Sequence, residues 1–315
     1  MERMEQFPTP EESPSDDAER SVEERLADAQ RETEDVKRRA IENGELVYDQ
    51  DGHFEYAIAP NGERSILNKK QWVEVRTSNF KEWYGDWERY RQLAAQSERS
   101  ADEQAELDAL QLTVSKIADQ NGEPAVVYHG SESRFQEFIE HWNPKRGAAG
   151  RGWKGHYFAD EKEKVLDYAG LSKMSGEEDE PIYEIHRRDA LRIAEMFKQK
   201  YQKTLFFWMK REYLDLYKAW RRSARRIEPT IYPSYLRSVN PKVIDNGVPG
   251  RGGNWNSFES DVLDAQERGH DAVVWHNTYD GGPRGTVLNV FAGDQIKSAE
   301  NNNGLFEPAG KNIES

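Results

Sequence analysis

The spacing of apolar and polar positions divides the chain into a polar arm, a short connecting region and a longer body of alternating strands and helices. Residues 1–20 carry Pro8, Pro10 and Pro14 among acids and serines, with too little apolar surface to offset ordering entropy, which predicts disorder. Ser21 to Ile41 predicts a charged helix, with Ser21 as N-cap and Glu24 as its capping-box partner. Its few apolar positions leave two readings, a solvated linker helix or a partner-binding one. Leu46 to Ala59 shows two β-rich runs around Asp51-Gly52, a hairpin signal. Phe80, Trp83, Tyr84 and Trp87 fall at helical spacing on one face, which reads as packing surface. A helix is expected over 101–112, and Asn121-Gly122-Glu123-Pro124 forms a turn before an apolar strand at Ala125-Val126-Val127.

Beyond that strand the pattern predicts a second one at His156-Tyr157-Phe158-Ala159-Asp160 and a helix from Lys162 to Ala169. No Pro or Gly interrupts Asp189 to Arg226, so one long helix or two abutting ones are expected. Tyr213, Tyr217 and Trp220 share a face of that block. Short strands follow at 231–232 and 242–245, then a helix over 258–267, a strand at 272–275, a final strand at 287–291 and a polar tail from Gly304. The expected fold class is α+β. The expected division is an acidic arm over 1–45, a hairpin and aromatic-rich connecting region over 46–115, a main domain over 116–310 with a helical insertion at about 186–228, and a tail over 311–315.

Composition sharpens the picture in three ways. A hydrophobic content of 36% with nine Trp, fourteen Tyr and twelve Phe supports a core, while 32% charged residues keep part of the chain solvated. Cysteine is absent, which excludes disulfides, thiolate metal sites and a cysteine nucleophile. The net charge of −14 argues against a nucleic-acid coat, yet residues 1–45 alone hold fifteen acids against seven bases. By contrast, Glu184 to Arg226 holds thirteen Lys or Arg against five acids, interleaved with aromatics, a pattern that fits either a solvated packed face or nucleic-acid recognition. No apolar run is long enough to span a bilayer and the N-terminus lacks a signal-peptide core, so no membrane partner is expected and the expected location is cytoplasmic.

The candidate chemistry lies in the strand-borne pair Tyr128-His129-Gly130 and His156-Tyr157-Phe158-Ala159-Asp160. Between them lies a basic glycine-rich stretch with Lys145, Arg146, Arg151 and Lys154 and no acid, able to receive a diphosphate. Its Gly150, Gly152 and Gly155 match G-x-G-x-x-G, but they precede a strand instead of linking strand to helix, so a dinucleotide-fold reading fails. Seven scattered His without zinc spacing predict no metal site. His276 reads either as a surface turn residue or as part of the cleft lining.

These motifs, with Thr77 to Trp87 upstream, resemble the His-Tyr class of ADP-ribosyltransferases and are most similar to the domains found in polyvalent proteins of phages and conjugative elements. The resemblance covers roughly residues 120–310. It implies a split antiparallel sheet with an NAD cleft, where NAD is co-substrate and no metal is needed. It further implies that His129 holds a ribose hydroxyl, the Gly130 backbone takes the carboxamide, and Tyr157 and Tyr168 stack on nicotinamide, with Arg151 and Lys154 in the cofactor-binding wall. Val165 stands where relatives carry a Ser, and Val287 where they carry the catalytic Glu. Gln295 is then the candidate third catalytic residue, or else a residue that satisfies backbone at the strand end. The implied function is mono-ADP-ribosyl transfer to a macromolecular acceptor. The alternatives are NAD hydrolysis or a silent NAD- or nucleic-acid-binding module acting through 184–226.

Overall fold

Local capping decides where most of the N-terminal helices begin. In a computed structural model that describes residues 20–139, 155–172, 180–247, 255–279 and 284–315, the Ser21 hydroxyl accepts from the Glu24 amide and Glu24 reaches back to the Ser21 amide. Helix α1 spans Val22–Glu42 from that box. Asn68 forms the same box at α2 (Lys69–Glu74), Thr77 and Asp86 cap α3 (Ser78–Tyr84) and α4 (Trp87–Ala94) by the side-chain oxygen alone, and Ser100 closes a further box at α5 (Ala101–Thr113). The hairpin forms as β1 (Leu46–Tyr48) and β2 (Phe54–Ala57), turned at Gly52 with φ +81°.

The single aromatic helix expected over 80–87 is two helices. Gly85 ends α3 at φ +96°, and a Cβ there would lie 2.5 Å from Val114 Cα, so the chain breaks where backbone conformation and close approach both require glycine. The four rings still share one core, with Phe80, Trp83, Tyr84 and Trp87 buried beside Tyr235, Ala299 and Phe306. The core thus runs continuously from the connecting region into the last third of the chain. Helix α1 is docked, not solvated all round: Val36 and Ala40, four residues apart on one face, enter the same cluster. The Ser78 amide and hydroxyl both donate to Glu32 of α1.

The main sheet has seven strands: β3 (Val127–Ser131), β4 (His156–Ala159), β5 (Thr230–Leu236), β6 (Pro241–Asp245), β7 (Ala272–Thr278), β8 (Gly285–Val290) and β9 (Ile296–Ser298). Their order is β6-β7-β8-β4-β3-β5-β9. All pairs are antiparallel except β6 with β7, whose parallel pairing follows from the crossover through α8 (Trp255–Glu267). The fold is α+β, with a sheet that is mixed at one edge instead of wholly antiparallel. One face buries Phe158, Leu288, Val290 and Val274 with Phe138, and the other buries Val273, Trp275 and Val287 against Phe258 and Val262 of α8.

The uninterrupted basic block forms two helices, α6 (Ile182–Lys203) and α7 (Phe207–Arg226), broken at Thr204 to Phe206 and packed side by side. Helix α6 starts earlier than the expected Asp189. The helix expected over 162–169 is a single 3-10 turn, Lys162–Val165, continued by hydrogen-bonded turns to Gly170, which has φ +68°. The polar tail is also docked: Phe306 is fully buried, and the Ile313 amide donates to Gln136 while its carbonyl accepts from the Ser298 amide. Strand β9 escaped notice because its central residue is Lys297, a buried lysine whose Nζ donates to the carbonyls of Gly310 and Asn312.

Candidate active site

The β3–β4 ladder contains one pair, Tyr128 with Ala159, so the β4-facing edge of β3 from His129 to Ser131 has no ladder partner. On the other side β3 is fully paired with β5 over the same residues. This is where the sheet splits. His129 bridges the split: its Nδ1 lies 2.8 Å from the Tyr157 carbonyl, so Nδ1 carries the proton and Nε2 is left as the acceptor nitrogen. The imidazole sits among Phe138, Phe158, Phe135 and Tyr232, with centroids 5.0 to 6.2 Å away. Burial among these rings pushes its pKa below the ordinary histidine value, against a smaller raising effect of the Tyr157 carbonyl. A neutral imidazole at fixed tautomer is suited to meet a hydroxyl.

Gly130 is packed from above by the turn after β4. A Cβ at 130 would lie 2.2 Å from the Val165 carbonyl oxygen, 3.0 Å from the Ala169 nitrogen and 3.2 Å from the Tyr168 Cβ. The absence of a side chain is what lets Tyr168 come over the unpaired edge of β3. Tyr168 is 45% exposed, so its ring faces the outside of that contact instead of the core.

Tyr157 projects to the opposite side from His129. Its ring runs nearly parallel to Trp275 (11°, 6.3 Å) and Phe258 (21°, 6.5 Å), within the cluster that also buries Val287. Burial, then the charge of Glu259, raise the phenol pKa, so it remains neutral. The structure therefore brings the Gly130 edge, the Tyr168 turn and the Tyr157 backbone together, while the His129 and Tyr157 rings lie on the two faces of the sheet. Val287 is buried, paired with Ala159 and Trp275, and offers no polar group. Beside it, the Thr286 amide donates to Asp160, and His276 Nδ1 lies 3.1 Å from the Thr286 hydroxyl.

Gln295 is committed to backbone. Its Oε1 accepts from the amides of Phe291 and Ala292 at 3.0 and 2.9 Å, and its Nε2 donates to the carbonyls of Arg237 and Asp271 at 2.9 and 3.0 Å. Of the two roles open to it in sequence, this geometry matches the structural one: both ends of the amide are engaged in stapling three chain segments. Lys145, Arg146, Arg151 and Lys154 lie outside the described residues.

Two acidic positions escaped the sequence reading. Glu259 on α8 bears on the Tyr157 phenol. Glu132, three residues after His129, pairs through Oε1 with His186 Nδ1 of α6 at 2.6 Å. The signal for Glu132 was its position at the end of the motif strand, whereas His186 is brought in by tertiary packing alone. Among the described residues, Asp49, Asp51 and His53 form the one group of three metal-ligand types close enough to share an ion; they sit exposed at the β1–β2 turn, where an Asp49 oxygen already accepts from two backbone amides. None of the described helices is long and apolar enough to cross a membrane.

Comparison with known proteins gives one match. The model of the family described as ADP-ribosyltransferase in polyvalent proteins matches residues 119–306, well over half of the chain. No curated protein and no solved structure matches.

Proposed function

Because the chain belongs to the family of ADP-ribosyltransferases in polyvalent proteins, we propose that it transfers a single ADP-ribose from NAD to a macromolecular acceptor, with the donor held at the β3–β4 split. The observation that carries this reading is the unpaired edge of β3 at Gly130, roofed by the Tyr168 turn. Bare backbone amides and carbonyls there fit a flat carboxamide, and Tyr168 supplies a ring face. His129 Nε2, oriented by the bond from Nδ1 to the Tyr157 carbonyl, meets a ribose hydroxyl. Tyr157 walls the other side of the split from its packing against Trp275. Bound NAD supplies a good leaving group, so the protein's task is to orient the donor and stabilise the positive charge that spreads on the ribose.

The test uses the full chain with NAD labelled in the adenylate and, separately, in nicotinamide, incubated with a bacterial lysate. Nicotinamide release with label in macromolecules is expected, and both should fall about 100-fold in His129→Ala. Failure to bind NAD or release nicotinamide would reject the proposal. A second reading, NAD binding without turnover, draws on the buried Val287 in the place of the expected Glu. Calorimetry separates the two: binding without nicotinamide release supports the silent module.

A further inference from the structure

A cavity of about 700 Å³ opens between the end of β3 and the α6–α7 pair, lined among others by Glu132, His186, Trp220, Arg222 and Arg226. It abuts the donor site. Glu132 follows Gly130 by two residues, about 7 Å along an extended chain. Its Oε1 also lies 3.0 Å from where a Cβ on Gly170 would sit, two residues from Tyr168. Inside the cavity Glu132 accepts from His186 Nδ1, which fixes the tautomer and leaves Nε2 as the basic nitrogen. This is the arrangement of an oriented general base: an imidazole turned by a carboxylate.

The approach to that pair is cationic. Lys218, Arg221, Arg222, Arg225 and Arg226 recur at intervals of three and four on α7 and so share one broad face. On α6, Arg188, Arg192 and Lys198 pair with the carboxylates of Glu180, Asp189 and Glu195. Among the described residues no carboxylate pairs with any of the five on α7. A second hollow of about 270 Å³, lined by Tyr217, Lys218, Arg221, Arg222 and Arg225, continues the first through the shared Arg222. Complementing the helix dipole accounts for the last-turn Arg225 and Arg226 but not for Lys218, Arg221 and Arg222. Two aromatic side chains lie among these charges, Tyr217, which holds Arg221 through its hydroxyl at 2.9 Å and its ring, and Trp220, which offers a ring to the cavity, the make-up of a surface that follows a phosphate backbone and stacks bases.

We propose, resting on the transferase reading above, that the acceptor is a nucleic acid strand led along α7 into this cavity, with His186 as the base for its nucleophile and Glu132 as the positioning residue. A hydroxyl or amine of the nucleotide attacks C1′ of the nicotinamide-bearing ribose. The C1′–nitrogen bond breaks with its electron pair going to the pyridinium, which leaves as neutral nicotinamide. The nucleophile's proton passes to His186 Nε2, and the imidazolium is stabilised by Glu132. The pair thereby takes over the acceptor-activating task for which Val287 has no group.

The experiment measures the ratio of adenylate label in a single-stranded RNA or DNA oligonucleotide to nicotinamide released, using the full chain. The unaltered protein labels the oligonucleotide. His186→Ala lowers the ratio about 100-fold, with partial recovery on adding imidazole, and Glu132→Gln lowers it by a smaller factor. Replacing Arg221, Arg222, Arg225 and Arg226 by Gln raises the oligonucleotide KM at least about tenfold and flattens its salt dependence. An unchanged ratio in His186→Ala, or label in lysate proteins with none in nucleic acid, overturns this inference while leaving the transferase reading intact. Absence of any NAD binding or nicotinamide release in the unaltered protein removes both.

Discussion

Gly130→Ala isolates the contact that shapes the proposed donor site. The backbone at 130 is in ordinary extended conformation, so alanine introduces no φ strain, and any effect comes from the added methyl. That methyl would start 2.2 Å from the Val165 carbonyl oxygen and 3.0 Å from the Ala169 nitrogen. Normal carbon–oxygen contact is about 1 Å longer, so the 3-10 turn must lift by roughly that distance or β3 must sink. Overpacking of this kind costs about 1–3 kcal/mol, which lowers Tm by about 2–12 °C for a domain of this size. The functional loss should exceed the structural one, because the displaced segment carries Tyr168. A misplacement of about 1 Å in a positioning group costs on the order of 100-fold in rate. Thermal melts, calorimetric NAD titration and nicotinamide release on the same preparation separate the two effects. Wild-type affinity and rate in Gly130→Ala would show that the Tyr168 turn does not form the donor site.

Two further outcomes follow from other side chains. Gln295→Ala removes four side-chain bonds to backbone and is expected to destabilise by about 2–4 kcal/mol in urea melts, with activity at saturating NAD falling only in step with the unfolded fraction; a lost kcat in a fully folded protein would instead restore its catalytic role. Burial raises the Glu74 pKa to about 7 against lowering effects from Lys70, so the folded state holds a proton that the unfolded chain releases above its ordinary value of 4.5. Stability from this group is therefore full below about pH 4.5 and is lost as pH rises through about 7, by roughly 3 kcal/mol in all. Glu74→Gln should flatten that slope in denaturant melts at pH 5 and 8, and an unaltered slope would rule the assignment out.

Much of the scaffold was legible in sequence because its signals are local. The Ser21 capping box, the Asp51-Gly52 hairpin and the apolar strands at 127 and 272 each depend on residues a few positions apart. What was hidden depends on partners far along the chain. The docked tail needs the Ser298 amide to donate to the Ile313 carbonyl, β9 disguises itself with a buried lysine, and the break at Gly85 is fixed by Val114. The site divides on the same line. His129 and Gly130 stood out as a strand-end pair, whereas the His186 that meets Glu132 sits 54 residues away and is brought to it only by the placement of α6.

Strand register explains why the two parts of the motif face apart: with Tyr128 opposite Ala159, His129 falls on the face of Phe158 and Tyr157 on the other. A continuous β3–β4 ladder would also satisfy the Tyr157 carbonyl with backbone. Ending the ladder at Tyr128 and Ala159 leaves that carbonyl for His129 and leaves the Gly130 edge open, so the proposed donor site rests on backbone exposed by the split more than on converging side chains. The proposed acceptor side instead rests on a charged side-chain pair, Glu132 just after β3 and His186 on α6.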